Sequence, residues 1–395
     1  MDYFKESLRK HKETRGKWEI RSKFPLNNSD DLSIAYTPGV ALVCDTIAEK
    51  MSTAYDLTMK GNTVAIVSDG SAVLGLGDIG PMAAIPVMEG KAVLFKKFSG
   101  IDGVPIVTDS HSVEDIITTV KAIAPTFGGI NLEDIKAPKC FEIEDALQDI
   151  GIPVFHDDQH GTAIVLLAAM LNASKITGKP LEEMKVVING AGAAGTAIAR
   201  LLRCVGHDPS VCIPVKDVLV CDSRGIISAQ RSDLNPYKKG LLKYSNRENI
   251  SGKLKDALKG ADCFIGVSKG NLITAADVRT MAKDPIILAM ANPIPEIMPD
   301  EAKAGGARII GTGRSDFPNQ VNNVLVFPGI FRGVLNAKAQ RITESMKIAA
   351  AHALANSVKN PDEDHILPNA LDMSIAPKVA EAVKQAAEQE GVCCM

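Results

Sequence analysis

Aromatic residues are scarce: they make up 4% of the 395-residue chain, and Trp18 is its one tryptophan. A stacking platform for single-stranded nucleic acid needs more rings than that. Excess charge of one sign is also missing, since 44 Lys and Arg face 47 Asp and Glu. That balance gives no electrostatic reason to expect nucleic acid or an anionic membrane as partner. The longest apolar run, Ala163 to Leu171, falls far short of the roughly 18–20 residues a spanning helix needs. The first 21 residues mix charges of both signs without an apolar stretch, so no secretory signal is read there and a cytoplasmic location is expected. Cys-x-x-Cys does not occur among the eight cysteines at 44, 140, 204, 212, 221, 263, 393 and 394, and reduced thiols are expected. Repeats and low-complexity segments are absent as well.

What is present is an alternation of strand-like and helix-like stretches. Thr63–Val67, Ala92–Phe95, Pro105–Val107 and Pro153–Phe155 read as strands, and Ser112–Ala124 as a helix. Thr162 reads as the cap of a long apolar helix reaching about Lys175. A second series runs through strand Lys185–Ile188, helix Thr196–Val205, strand Val218–Cys221 and helix Lys253–Leu258. It continues with strand Cys263–Val267, helix Ala275–Ala282 and strands Ile286–Met290, Arg308–Ile310 and Val324–Phe327. Alanine-rich helices, Ala337–Ser357 and Met373–Glu390, close the chain. The expected class is α/β: a catalytic unit over 1–160, a doubly wound Rossmann-type parallel sheet over 161–335, and a helical segment over 336–395.

Gly-x-Gly-x-x-Gly occurs twice, so context must decide between the copies. Gly190-Ala191-Gly192-Ala193-Ala194-Gly195 follows a strand, opens a helix and carries no charge. Its backbone N–H groups suit a pyrophosphate. The next strand ends at Asp222, where a carboxylate would meet the ribose hydroxyls and favour NAD. Arg224, two residues on, would suit the 2′-phosphate of NADP, and the sequence leaves that choice open. The other copy, Gly75 to Gly80, places Asp78 in the turn and Pro81 directly after, so it reads as a structural or substrate-side loop.

Two acidic clusters follow strand-like stretches: Glu133-Asp134 and Asp157-Asp158. Their hard oxygens suit Mg²⁺ or Mn²⁺. The same pairs also suit helix N-termini, where acidic side chains complement the dipole. Neighbours on a regular element point apart, so both members of a pair reach one ion only where the backbone bends. His156 and His160 raise zinc only weakly across a loop. Tyr36, Lys91, Asn292, Asn322 and Asn323 are polar residues at strand ends; each alone fits a core hydroxyl, a solvated strand entry or a turn.

Taken together, several segments resemble the malic enzyme family in its short bacterial form. They are Ser33–Val40, Ser68–Gly80, Met88–Ala92, Gly128–Asp134, Phe155–Thr162, Met290–Pro293, Gly311–Pro318 and Gln320–Gly329. The resemblance implies oxidative decarboxylation of L-malate to pyruvate and CO2 by a homodimer. The cofactors would be NAD, or NADP, with Mg²⁺ or Mn²⁺. It also implies Lys91 as general base with a lowered pKa, Asp157 as its orienting partner and Tyr36 as the acid that protonates the enol. Glu133, Asp134 and Asp158 would hold the cation. Asn292 and Asn323 would hold the substrate carboxylate, with Asn292 also facing the dinucleotide. Larger members carry a carboxylate-clamping Arg where this chain has Ala72. A malolactic enzyme that releases lactate, or a nucleotide-binding regulator without catalysis, would share these motifs.

Overall fold

The computed structural model describes residues 2–73, 75–207 and 211–393. Leu74 in the first glycine loop and Cys394 lie outside them. Four short β-branched and apolar runs make the first sheet: β1 (Thr63–Ser68), β2 (Asp102–Val107), β3 (Gly129–Leu132) and β4 (Val154–His156). Every pairing is parallel, in the order β2-β1-β3-β4. β1 is buried at all positions, as a strand covered on both faces must be.

The second sheet holds β5 (Lys185–Asn189), β6 (Asp217–Asp222), β7 (Gly225–Ile226), β8 (Cys263–Gly266), β9 (Ile286–Ala289) and β10 (Ile309–Thr312). Its order is β10-β9-β8-β5-β6-β7, parallel except for the β6–β7 pair. The order reverses at β5, and in the first sheet it reverses at β1. Ligands bind at such switch points, beyond the carboxyl ends of the strands. The α/β expectation with a Rossmann-type sheet is met.

The helix Asp157–Thr177 follows β4 directly. It is buried almost all round from Ala163 to Ala173, which is why its sequence shows little amphipathic contrast. Helices Phe327–Asn336, Glu344–Asn356 and Ile375–Gln389 pack into the same core. Phe95 joins the two halves: its ring lies 4.8 Å from that of Phe327 and 5.3 Å from that of Phe331, both edge-on. Among the described residues no helix is long and apolar enough to cross a membrane.

Several sequence expectations are corrected. Ala92–Phe95 is not a strand but part of the helix Pro81–Ser99. Buried Ala84, Met88, Lys91, Ala92, Phe95 and Phe98 follow a helical period, which Pro86 and Gly90 disguise in a short window. Lys91 is therefore a mid-helix residue. Val324–Phe327 is no strand either: the Asn322 side chain accepts from the Val324 N–H and starts a 3₁₀ turn, and Pro328 then opens a helix. The helix expected from Thr162 starts at Asp157, with His156 as N-cap, and the one expected from Thr196 starts at Ala193. The helix expected over Ala275–Ala282 ends at Val278. The helix expected over Ala337–Ser357 starts only at Glu344, capped by Thr343, and ends at Asn356. Cys204 and Cys212 form a disulfide, with Cα atoms 5.8 Å apart, against the expectation of thiols throughout. Eight residues of separation carry no motif, so spacing alone does not mark the pair.

Residues 2–62 form four α-helices and two 3₁₀ turns, yet none of them is buried. Tyr3, Phe4, Ile20 and Leu42 are at least 74% exposed.

Candidate active site

Lys91 is the centre of the first site. The Pro81–Ser99 helix carries it inward until 7% of its side chain remains exposed. Its Nζ lies 2.5 Å from Asp157 Oδ2 and 2.8 Å from Glu133 Oε1, and 4.2 Å from the centre of the Phe327 ring. Asp157, fully buried, occupies the first turn of its helix, where a carboxylate complements the dipole. Asn323 Nδ2 donates to the same Asp157 oxygen at 2.5 Å. Asn131 Nδ2 donates to Glu133 Oε2 at 2.8 Å. Asp157 curls back over its own helix, against Gly161: a β-carbon there would sit 1.9 Å from Asp157 Oδ1.

The bend needed for adjacent carboxylates to share an ion is present. Asp134 has φ of 54°, a left-handed conformation just past β3. The loop after β1 braces this kink. Ala72 N–H donates to Asp134 O at 2.9 Å, and Lys136 N–H to Ser71 Oγ at 3.0 Å. Ser71 Oγ in turn donates to Asp69 Oδ1 at 2.6 Å. Asp69 is fully buried and also meets His111 Nδ1 at 3.0 Å and the Lys139 ammonium. Sequence reading missed Asp69 and Ser71; the signal available was an Asp-Gly-Ser run at a strand end. Glu133, Asp134 and Asp158 each offer an oxygen within 4.8 Å of the others. Among the described residues this is the one such group, and an all-carboxylate set fits a hard divalent cation. The Asp134 N–H also donates to Asp158 Oδ2 at 2.8 Å.

Burial sets the charges. It raises the carboxyls of Asp157 and Asp158 to about 6 and pushes Glu133 upward too, although Lys91 opposes each rise. For Lys91 burial alone would lower the pKa, but the carboxylates of Asp157 and Glu133 outweigh it and hold the ammonium well above its ordinary value. The expected lowering is thus reversed in this arrangement. The zinc reading finds no support, because His160 Nε2 is engaged by Glu144 at 2.9 Å. Glu144 also accepts from the His156 N–H and from Gln159 Nε2. Burial would raise Glu144, but His160 draws it down to about 2. Glu144 was not singled out by sequence; it stands mid-helix with no local motif.

The second site is the glycine turn after β5. A β-carbon at Gly190 would lie 2.6 Å from Val267 O, and one at Gly195 would lie 1.7 Å from Gly190 O. Gly192 faces open space, and the helix Ala193–Leu202 has no side-chain cap, so its first N–H groups remain for a ligand. A cavity of about 890 Å³ lies alongside, walled by Gly190, Gly192, Asp222, Lys238 and Lys253. This cradle fits a dinucleotide pyrophosphate. The first glycine motif is an exposed loop instead, which approaches Asn292: a β-carbon at Gly75 would lie 3.6 Å from Asn292 O.

Two expected residues stand elsewhere. Asn323 is committed to Asp157 rather than presenting a free amide. Tyr36 is 69% exposed at the end of the Ser29–Ala35 helix, and no hydrogen bond joins it to the Lys91 cluster.

A parallel α/β fold that carries both a glycine-turn dinucleotide cradle and a buried lysine–carboxylate cluster is that of an oxidoreductase. Residues 159–388 match the family model of the malic enzyme NAD binding domain, and 15–113 with 108–148 match that of the malic enzyme N-terminal domain. The chain belongs to the malic enzyme family. It is 53% identical over 396 residues to a bifunctional malic/malolactic enzyme of Bacillus subtilis, covering 99% of this chain and 95% of that protein. It is likewise 53% identical over 380 residues to an NAD-dependent malic enzyme of Geobacillus stearothermophilus, covering 95% and 78%. The crystal structure of an NAD-dependent malic enzyme from Thermotoga maritima superposes with a TM-score of 0.91 at 48% identity, covering 96% and 98% of the two chains.

Gly161→Ala separates activity from stability. Alanine normally favours a helix interior by about 1 kcal/mol over glycine. Here it displaces the Asp157 carboxylate, and misplacement of about 1 Å costs on the order of 10²-fold in rate. The variant should keep its thermal midpoint within a few degrees and lose activity by about that factor. Unchanged kcat would show that the position of Asp157 does not matter.

Proposed function

We propose that the chain oxidises L-malate at C2 and decarboxylates it to pyruvate and CO2. The observation that carries this reading is the buried Lys91, gripped by Asp157 and Glu133 beside the three carboxylate ligands. When bound, the nicotinamide dinucleotide accepts a hydride, and Mg²⁺ or Mn²⁺ held by Glu133, Asp134 and Asp158 supplies Lewis acidity. The residues of the chain manage protons and position. Lys91 becomes a base only when its proton leaves to solvent, which would require a cation on Glu133, Asp134 and Asp158 to offset the carboxylates that hold the ammonium. The freed amine then takes the C2 hydroxyl proton. Asn323 keeps Asp157 facing Lys91 while this happens. Asn292, three residues past β9 and against the Gly75 loop, is assigned to hold the substrate carboxylate. Loss of CO2 from C3 leaves an enolate; Lys91 returns its proton to the C2 oxygen, and the resulting enol is protonated at C3 while Lys91 takes the hydroxyl proton back.

Tyr36 is assigned to that last proton transfer, and its exposure bears on the active unit. An arm with four helices and no buried residue is a surface that wants covering. We therefore propose a homodimer in which the arm of one copy lies on the other and delivers Tyr36 to the partner's lysine centre. Mixing two inactive variants, Lys91→Ala and Tyr36→Phe, should restore up to about a quarter of wild-type activity, because one site in the mixed pair is intact. No recovery after confirmed subunit exchange would place Tyr36 in its own chain's site or outside the mechanism.

The B. subtilis relative is named for malolactic as well as malic activity, so the product decides between the readings. Initial rates with L-malate and Mn²⁺ should give reduced dinucleotide and pyruvate in equal amounts. Lactate without net reduced dinucleotide would overturn the malic reading, and full turnover after exhaustive chelation would overturn the role of the three carboxylates.

A further inference from the structure

Glu144 takes no part in the chemistry above, yet it bonds three residues of the turn that carries Asp157 and Asp158. It is buried on the helix Lys139–Leu147. Its Oε1 accepts from the His156 N–H at 3.1 Å, and its Oε2 from Gln159 Nε2 at 3.0 Å. His160 Nε2 lies 2.9 Å from the first oxygen and 3.0 Å from the second. A carboxylate can only accept, so the His160 ring carries a proton on Nε2.

These donors stand at i, i+3 and i+4, on one side of the turn that opens the Asp157–Thr177 helix. Asp157 and Asp158 fall between them, about 100° apart around the axis at 3.6 residues per turn. Asp157 meets Lys91 at 2.5 Å, and Asp158 brings an oxygen within 4.8 Å of Glu133 and Asp134. A rotation of the turn would move both carboxylates off their targets at once. The helix start has no side-chain cap of its own. Glu144 supplies the hold from another helix. Glutamine in its place would keep one acceptor oxygen and turn an amide NH2 toward the same donors. An apolar residue would avoid the desolvation cost of a buried carboxylate, but it would leave three donors without their partner.

We infer that Glu144 is a positioning residue for the divalent cation: its grip on His156, Gln159 and His160 sets the rotation of the turn that aims Asp158 at Glu133 and Asp134, and Asp157 at Lys91. It touches neither cation nor substrate. The inference rests on the reading of Glu133, Asp134 and Asp158 as the cation's ligands.

Titration of the purified, metal-stripped chain with Mn²⁺, followed by electron paramagnetic resonance, tests this without turnover. Residues that orient metal ligands typically contribute 10–100-fold in affinity, so Glu144→Gln should raise the Mn²⁺ Kd about tenfold or more. NADH affinity, read from its fluorescence, should stay at the wild-type value. At saturating Mn²⁺ kcat should still fall, because Asp157 turns together with Asp158. If Glu144→Gln does not fold, His160→Leu and His160→Gln carry the test. The leucine should weaken Mn²⁺ binding several-fold, and the glutamine, which keeps a donor toward Glu144, should restore most of it. Wild-type Mn²⁺ affinity in Glu144→Gln or in His160→Leu overturns the inference alone. A parallel loss of NADH affinity also overturns it, because Glu144 would then support the fold at large. Failure of the folded wild-type chain to bind Mn²⁺ overturns the carboxylate reading with it.

Discussion

One buried cation governs this structure. Lys91 is withdrawn from water on the inward face of a helix, and it is tolerable there only because Asp157 and Glu133 meet it at ion-pair distance. Breaking such a cluster by removing one member costs several kcal/mol, because a charge stays buried without its partner. Each neighbour therefore has a fixed place. Asn323 holds Asp157 from the C-terminal half, Asn131 holds Glu133 from β3, and Phe327 lies under the ammonium. Burial raises the pKa values of the carboxylates in turn, and a divalent cation held by them would oppose that rise.

The folding of two sheets around one apolar helix makes the cluster possible. Glu133 and Asp158 follow adjacent parallel strands, β3 and β4, so both arrive at the same edge of the first sheet. The second sheet offers its glycine turn at its own switch point, and the helices after residue 327 return to the first half through Phe95. Asn323 sits at the start of that return. A residue nearly 170 positions from Asp157 thus ends 2.5 Å away from it.

Much of this is legible in the residues themselves. The strands β1, β5, β6, β8 and β9 are short β-branched runs bounded by turn residues, and the uncharged glycine motif between strand and helix marks the dinucleotide cradle. What was not legible is what depends on geometry at a distance. Asp134 bends its backbone because the Asp69–Ser71 loop bonds the residues beyond it, and no local pattern says so. Lys91 looks like a strand entry because Pro86 and Gly90 break up a helical period. Asp222 looks like a free carboxylate until Arg231 and Lys238, brought in by later segments, are seen to fill it. The exposure of residues 2–62 is invisible in sequence, since their apolar side chains look like any core.

The protonation of Lys91 is the claim nearest to the centre of the account. Heteronuclear NMR of side-chain-labelled lysine in the metal-free protein measures it directly, with Lys91→Met supplying the assignment. The account predicts an ammonium signal for Lys91 that persists above the ordinary lysine pKa of about 10.4. A titration midpoint near neutrality in that same metal-free state would contradict it, because the two carboxylates would then not be holding the charge.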